Sequence, residues 1–136
     1  MAKFDHCLID PKRYPKWQAR NASRENQPLI TQQSVGSELL CSGMWWLHPG
    51  HCSAPDIHDA DELYYVIGGQ GKIVLDDEEH VVRQGMSVYI PRNVTHQTFN
   101  DSDEDLIYYW VFAPPPTGSA KQDLENWVEM EPEGTS

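Results

Sequence analysis

Residues 55–69 read "PDIHDADELYYVIGG". Asp56, His58 and Glu62 crowd three metal-capable side chains just ahead of an aromatic run that has the character of a strand. Successive strand residues point to opposite faces. In "ELYYVIG" that places Glu62, Tyr64 and Val66 on one face and Leu63, Tyr65 and Ile67 on the other. If residues 56–58 are extended, Asp56 and His58 share a side, and the "DAD" turn brings Glu62 round to join them. A second stretch behaves alike. In "THQTFN" (residues 95–100), His96, Thr98 and Asn100 share a face, and His96 opens the strand just after a Pro-Arg-Asn turn.

Working outward, short β-rich runs separated by turn signals extend from Pro28 to Phe112. They are "LITQQ", "SELLCSGMWWL", "ELYYVIG", "GKIVLD", "EHVVR", "SVYIP", "THQTFN" and "DLIYYWVFA". This is the pattern of an all-β sandwich or barrel. "LDDEEH" reads as a tight hairpin turning on Asp76 and Asp77. "LLCSGMWWL" is apolar on both faces, with Leu39, Cys41, Trp45 and Leu47 on one and Leu40, Met44 and Trp46 on the other. Such a strand needs cover on both sides, and the expected second cover is another subunit, giving a homodimer. The division expected is an N-terminal arm over 1–28, a β-barrel over 29–115 and an extension over 116–136. "DLENWVEM" is expected to form a terminal helix or strand, and "EPEGTS" to fray.

The 136 residues suit one domain, and five Trp, six Tyr and three Phe can fill its core. A formal net charge of −11 repels nucleic acid and anionic membranes, so neither is expected as a partner. Three cysteines, Cys7, Cys41 and Cys52, fit no paired framework, which points to a reducing cytoplasm. The N-terminus has no apolar signal-peptide core, and no apolar run approaches a membrane span.

Gly50, five residues, Asp56-Ile57-His58, three residues, Glu62, six residues and Gly69 resemble the first cupin motif. "GMSVYIPRNVTHQTFN" (85–100) resembles the second, with Gly85, Pro91, His96 and Asn100 in place. Asn93 stands where the motif usually has Gly; Asn also tolerates positive φ. The resemblance implies a jelly-roll barrel (the double-stranded β-helix) holding one divalent metal such as Fe, Mn, Zn or Ni. Carried onto this chain, the ligand positions are Asp56, His58, Glu62 and His96. Position 56 is Asp where the family usually has His. An Asp ligand is harder than imidazole and favours Mn(II), Fe(II), Mg(II) or Zn(II) over copper. Asp56 could equally orient His58, with His51 as the rival ligand; His48 and His80 rank lower.

Tyr64 shares the inward face of Glu62 and could act as a general base beside a cation. One group of cupins, the dimethylsulfoniopropionate lyases, is similar here, with a catalytic Tyr two residues after the ligand Glu. Arg92, Trp45 and Tyr108 are the candidates for holding a small-molecule substrate, Arg92 by a bidentate contact to an anion. Cys41 and Cys52 read as small fillers. The function expected is a redox-neutral lyase, isomerase or cyclase acting on a small organic acid or carbonyl compound. The alternatives are a non-haem Fe(II) dioxygenase and a non-catalytic ligand-binding or accessory cupin.

Overall fold

The computed structural model describes residues 2–116 and 126–132. Ten strands run in chain order: β1 Lys16–Ala19, β2 Arg24–Ile30, β3 Cys41–Leu47, β4 Asp61–Gly68, β5 Gln70–Leu75, β6 Glu78–Arg83, β7 Ser87–Ile90, β8 His96–Phe99, β9 Leu106–Ala113 and β10 Trp127–Met130. They form a seven-stranded sheet, β10-β1-β2-β3-β9-β4-β7, and a three-stranded sheet, β6-β5-β8. All the pairings are antiparallel. The sheets enclose a core of Leu47, Val66, Ile73, Val82, Ile90, Leu106 and Tyr108. The expected all-β jelly roll is therefore the fold.

The strand parity read from the sequence is the parity of the barrel. Glu62 and Val66 are buried while Leu63, Tyr65 and Ile67 are exposed. His96, Thr98 and Asn100 are all buried. The hairpin turns at Asp76, which takes φ 54°, and Asn93 adopts φ 66° in the turn before His96.

Two expectations are corrected. "LITQQ" is not a strand of its own: β2 ends at Ile30, and Gln32–Val35 form one helical turn, α1, capped by the Thr31 side chain. The sheet also takes in residues 16–28, part of the segment read as an arm. Polar residues disguise β2. The Trp110 indole donates to Asn26 Oδ1 at 2.9 Å, and buried Gln27 donates to the carbonyls of Pro11 (2.8 Å) and Tyr14 (3.1 Å). The same N-terminal segment meets the outer side of β3, where Lys16 Nζ lies 4.3 Å above the Trp46 ring. Gly43 lets Trp110 lie against the backbone: a Cβ there would collide with the Gln27 carbonyl and sit 2.7 Å from Trp110 Cζ2. In "DLENWVEM", Trp127–Met130 form β10 against β1; the rest of that segment before Asn126 and the expected fraying of the last four residues lie outside the described residues. No helix among the described residues is long and apolar enough to cross a membrane.

Candidate metal centre

Backbone pairing assembles the site. Asp56 and His96 exchange reciprocal backbone hydrogen bonds of 2.9 Å, an isolated bridge that pins the loop before β4 to the head of β8. Asn93 N–H donates to the His58 carbonyl at 2.7 Å, tying the turn before β8 to the same loop. Glu62 enters from β4, paired with Ile90 on one side and Phe112 on the other. Across the large sheet this makes a mouth row of Cys41, Phe112, Glu62 and Ile90. One step deeper stand Gly43, Trp110, Tyr64 and Val88, and below them Trp45, Tyr108 and Val66.

Asp56, His58 and His96 each offer a donor atom, and these atoms lie within 4.8 Å of one another. Asp56 Oδ2 is 3.1 Å from His58 Nε2, and Glu62 Oε1 is 3.1 Å from His96 Nε2. Three of the four positions named from the sequence, Asp56, His58 and His96, thus form one donor group, and Glu62 adjoins it through His96.

Glu62 Oε1 is buried and accepts no hydrogen bond among the described residues. His96 Nε2 is near enough, but its geometry does not make a hydrogen bond. His96 Nδ1 lies 3.1 Å from the Val94 carbonyl, an acceptor, so this nitrogen carries a proton. A neutral His96 then turns the lone pair of Nε2 to a carboxylate oxygen, and two acceptors face each other. Buried acceptors without donors are costly. A cation between them satisfies both, and a harder donor at Asp56 adds charge on the same side. The residues therefore fit a divalent metal.

The local fields agree. Burial opposes the charge on Asp56, but the His58 ring and the Ile57 N–H (3.0 Å) outweigh it and hold the carboxyl below its usual range. Burial likewise opposes a charged His96, and the Glu62 carboxylate outweighs it and raises the imidazole pKa, so a proton on Nε2 supplies the positive charge between the two groups until a metal takes its place. Burial, then Glu62, pushes the Tyr64 phenol well above its ordinary value.

The other residues named from the sequence divide. Half-buried Tyr64 stacks on Tyr108 at 4.4 Å and stands edge-on to His96, 6.4 Å between ring centres. Tyr108 stacks in turn on Trp45 at 5.1 Å. Tyr108 is corrected from substrate contact to core: it is 0% exposed, so it backs Tyr64 from behind. Half-buried Trp45 lies on the far side of Tyr108 from Tyr64. Arg92 is exposed in the turn before β8, where its backbone N–H donates to Asp61 Oδ1 at 3.3 Å. Exposed His51 is outside the donor group, and His48 sits between Glu25 and Asp105, 2.9 Å from each. Exposed His80 lies 3.4 Å from Glu78.

Two residues of the mouth were missed. Phe112 lies edge-on to His58 at 4.8 Å and walls one flank of the site. Cys41, read as a filler, heads the mouth row; burial, then Glu62, pushes its thiol up to about 11. Period-two parity along "DLIYYWVFA" points Phe112 inward with Tyr108 and Trp110, and was the signal available.

Comparison with known proteins agrees with this architecture. An uncharacterized Streptomyces coelicolor protein is 36% identical over 83 residues, covering 61% of this chain and 78% of that one. The dimethylsulfoniopropionate lyase DddW of Ruegeria pomeroyi is 36% identical over 85 residues, 62% of this chain, and the match spans 55% of the lyase. A Thermotoga maritima structure described as a predicted oxalate decarboxylase superposes with a TM-score of 0.67 at 16% identity, covering 79% of this chain and 99% of that one. The cupin domain model matches residues 43–112, more than half of the sequence, and the chain belongs to the cupin family.

Proposed function

We propose that this cupin is a divalent-metal-dependent enzyme that acts on a small organic acid or carbonyl compound by redox-neutral, lyase- or isomerase-type chemistry. The observation that carries the reading is Glu62 Oε1, a buried carboxylate oxygen with no hydrogen-bond donor among the described residues, facing an imidazole whose other nitrogen is already committed. Asp56, His58, Glu62 and His96 would hold the metal. When bound, it supplies a Lewis acid for a substrate oxygen.

The chain's own groups supply the rest. Phe112 excludes water beside His58. Tyr64 stands edge-on to His96 and is braced from behind by Tyr108. As it stands, Tyr64 holds its proton at Oη, because burial and Glu62 both disfavour the phenolate. Positive charge placed beside Glu62 removes part of that penalty, so the residue that donates a hydrogen bond can then also take a proton. The similarity to DddW, which is named as a lyase, supports the redox-neutral reading.

Elemental analysis of protein purified without added metal, paired with oxygen uptake, tests this. Near-stoichiometric zinc, manganese or nickel without oxygen uptake is expected, with metal lost in His96→Ala. Iron with oxygen uptake would instead identify a dioxygenase. A folded wild type that binds no divalent metal on titration would leave a ligand-binding cupin.

A further inference from the structure

Charge around the donor group has one sign. The strands β3, β4, β7, β8 and β9 contain no Lys or Arg on either face, and neither does the segment 48–60 that brings in Asp56 and His58. The cation closest to His96 in the sequence is Arg92, and it belongs to the outer side of the sheet. It is exposed, and its charge acts on the phenol of Tyr89, which is 60% exposed beside the outward Leu63. The donors themselves are acidic. As carboxylates, Asp56 and Glu62 bring one negative charge each, enough to balance a divalent ion, and Asp59 and Asp61 lie between them in the sequence. A centre with no surplus positive charge suits a ligand with one carboxylate or a neutral oxygen ligand such as a hydroxy ketone. A second carboxylate would leave water with no cation to meet it, which is costly.

The wall beside the donors is apolar. Next to Glu62 in the mouth row come Phe112 and then Cys41, both half-buried, so each keeps part of its surface open. Phe112 stands edge-on to His58 at 4.8 Å and lies against Trp110, 5.5 Å between ring centres. Gly43, two residues along β3 from Cys41, leaves the space that the Trp110 indole fills. The one polar atom of that indole is already used: Nε1 donates to Asn26 Oδ1 at 2.9 Å and to the Met44 carbonyl at 3.2 Å. Cys41 is a neutral thiol at neutral pH and behaves as a small apolar group. The strip from Cys41 through Phe112 to Trp110 therefore offers a ligand aromatic surface and little to hydrogen-bond. Such a surface favours a flat apolar group, which stacks on it and leaves no polar atom unmet.

We infer, on the metal-dependent reading above, that the substrate has a single anionic or neutral oxygen head at the metal and an uncharged, flat apolar body laid along Phe112 and Cys41, and that dicarboxylates are refused. Phe112 then sets specificity, because it touches the body of the substrate and not its head. The refusal of dicarboxylates comes from what the walls lack, an unmet charge being the stronger discriminator.

Isothermal titration of the zinc-loaded full chain with three 2-oxo acids separates head from body. Pyruvate supplies the head alone, phenylpyruvate adds a flat apolar body, and 2-oxoglutarate adds a second carboxylate instead. Phenylpyruvate is expected to bind about tenfold or more tighter than pyruvate, and 2-oxoglutarate no tighter than pyruvate. Phe112→Ala is expected to erase most of the advantage of phenylpyruvate, while pyruvate, which reads the head and the fold together, changes little. Elemental analysis before each titration reports the zinc bound, and far-ultraviolet circular dichroism reports the fold. A wild type that takes up no divalent metal would overturn the metal-dependent reading and this inference with it. Zinc-loaded protein that binds 2-oxoglutarate as tightly as phenylpyruvate, binds phenylpyruvate no tighter than pyruvate, or binds none of the three would overturn this inference alone. So would a folded, zinc-loaded Phe112→Ala that keeps the full preference for phenylpyruvate.

Discussion

The two ends of β8 bury polar side chains for opposite reasons. At its far end, Asn100 is fully used: Nδ2 donates to the carbonyls of Leu47 (2.8 Å) and Glu104 (2.7 Å), and Oδ1 accepts from Ser102 N–H (3.0 Å) and Oγ (2.7 Å). Its backbone is also paired, with N–H to His51 O and O from Gly50 N–H. At the near end, His96 faces Glu62, whose Oε1 has no hydrogen bond among the described residues. Both residues are buried and both belong to the cupin motifs. One closes a network that stabilises a loop; the other leaves a network open. Burial of a polar group does not by itself mark function, whereas an unmet acceptor beside an oriented imidazole suits a cation.

The comparison can be broken at either end. Asn100→Ala should cost about 3 kcal/mol in chemical denaturation, because two carbonyls and two Ser102 donors lose their partner together. The metal affinity of whatever protein still folds should change little. Glu62→Gln should do the reverse. Metal binding followed by isothermal titration should weaken by about a hundredfold, while the metal-free protein at alkaline pH, where His96 is neutral, should lose no stability, since the amide nitrogen can donate to His96. A large loss of metal-free stability in Glu62→Gln would place both ends in the same class.

The pH dependence sharpens the contrast. His96 has a raised pKa in the fold, so its contribution is full below the unfolded value of 6.5 and fades as pH rises through the folded value. Asp56 has a lowered pKa, so its contribution is present above 3.8 and is lost as pH falls through the folded value. Metal-stripped protein should therefore melt highest between about pH 4 and pH 7. Saturating zinc should remove the alkaline fall, because the cation takes over the proton's place. The smallest effect concerns the cysteines. Cys41, with its thiol near 11, should react with iodoacetamide about tenfold or more slowly than the exposed Cys7 and Cys52 at neutral pH, as read by mass spectrometry.

Most of the site was legible because strand parity is a strong constraint. Once Glu62 and His96 open their strands, period two fixes Tyr64, Val66, Thr98 and Asn100 on the inner face. The structure keeps that order. Asn93 was readable for the same reason, as a residue that tolerates the turn's positive φ. The first two strands were not readable, because their inward and covered positions are polar. Asn26 and Gln27 look like surface residues until Trp110 and the N-terminal carbonyls are placed against them. Tyr108 was misplaced for a related reason. Parity says that it points inward, but not that Tyr64 and Trp45 sandwich it beyond reach of solvent. Depth along the barrel is a property of inter-strand register, which a single sequence does not print.

The reciprocal bridge between Asp56 and His96 has a consequence for how such a site changes over time. The spacing between these two positions is set by main-chain hydrogen bonds, which any non-proline residue can make. Position 56 is also the outermost of the four, with 57% of its side chain exposed. A replacement there alters which atom reaches the centre, and how hard a donor it is, without shifting the scaffold or reopening the core. The bridge makes position 56 an exchangeable socket, where one substitution changes the donor on offer while His58, Glu62 and His96 keep their places.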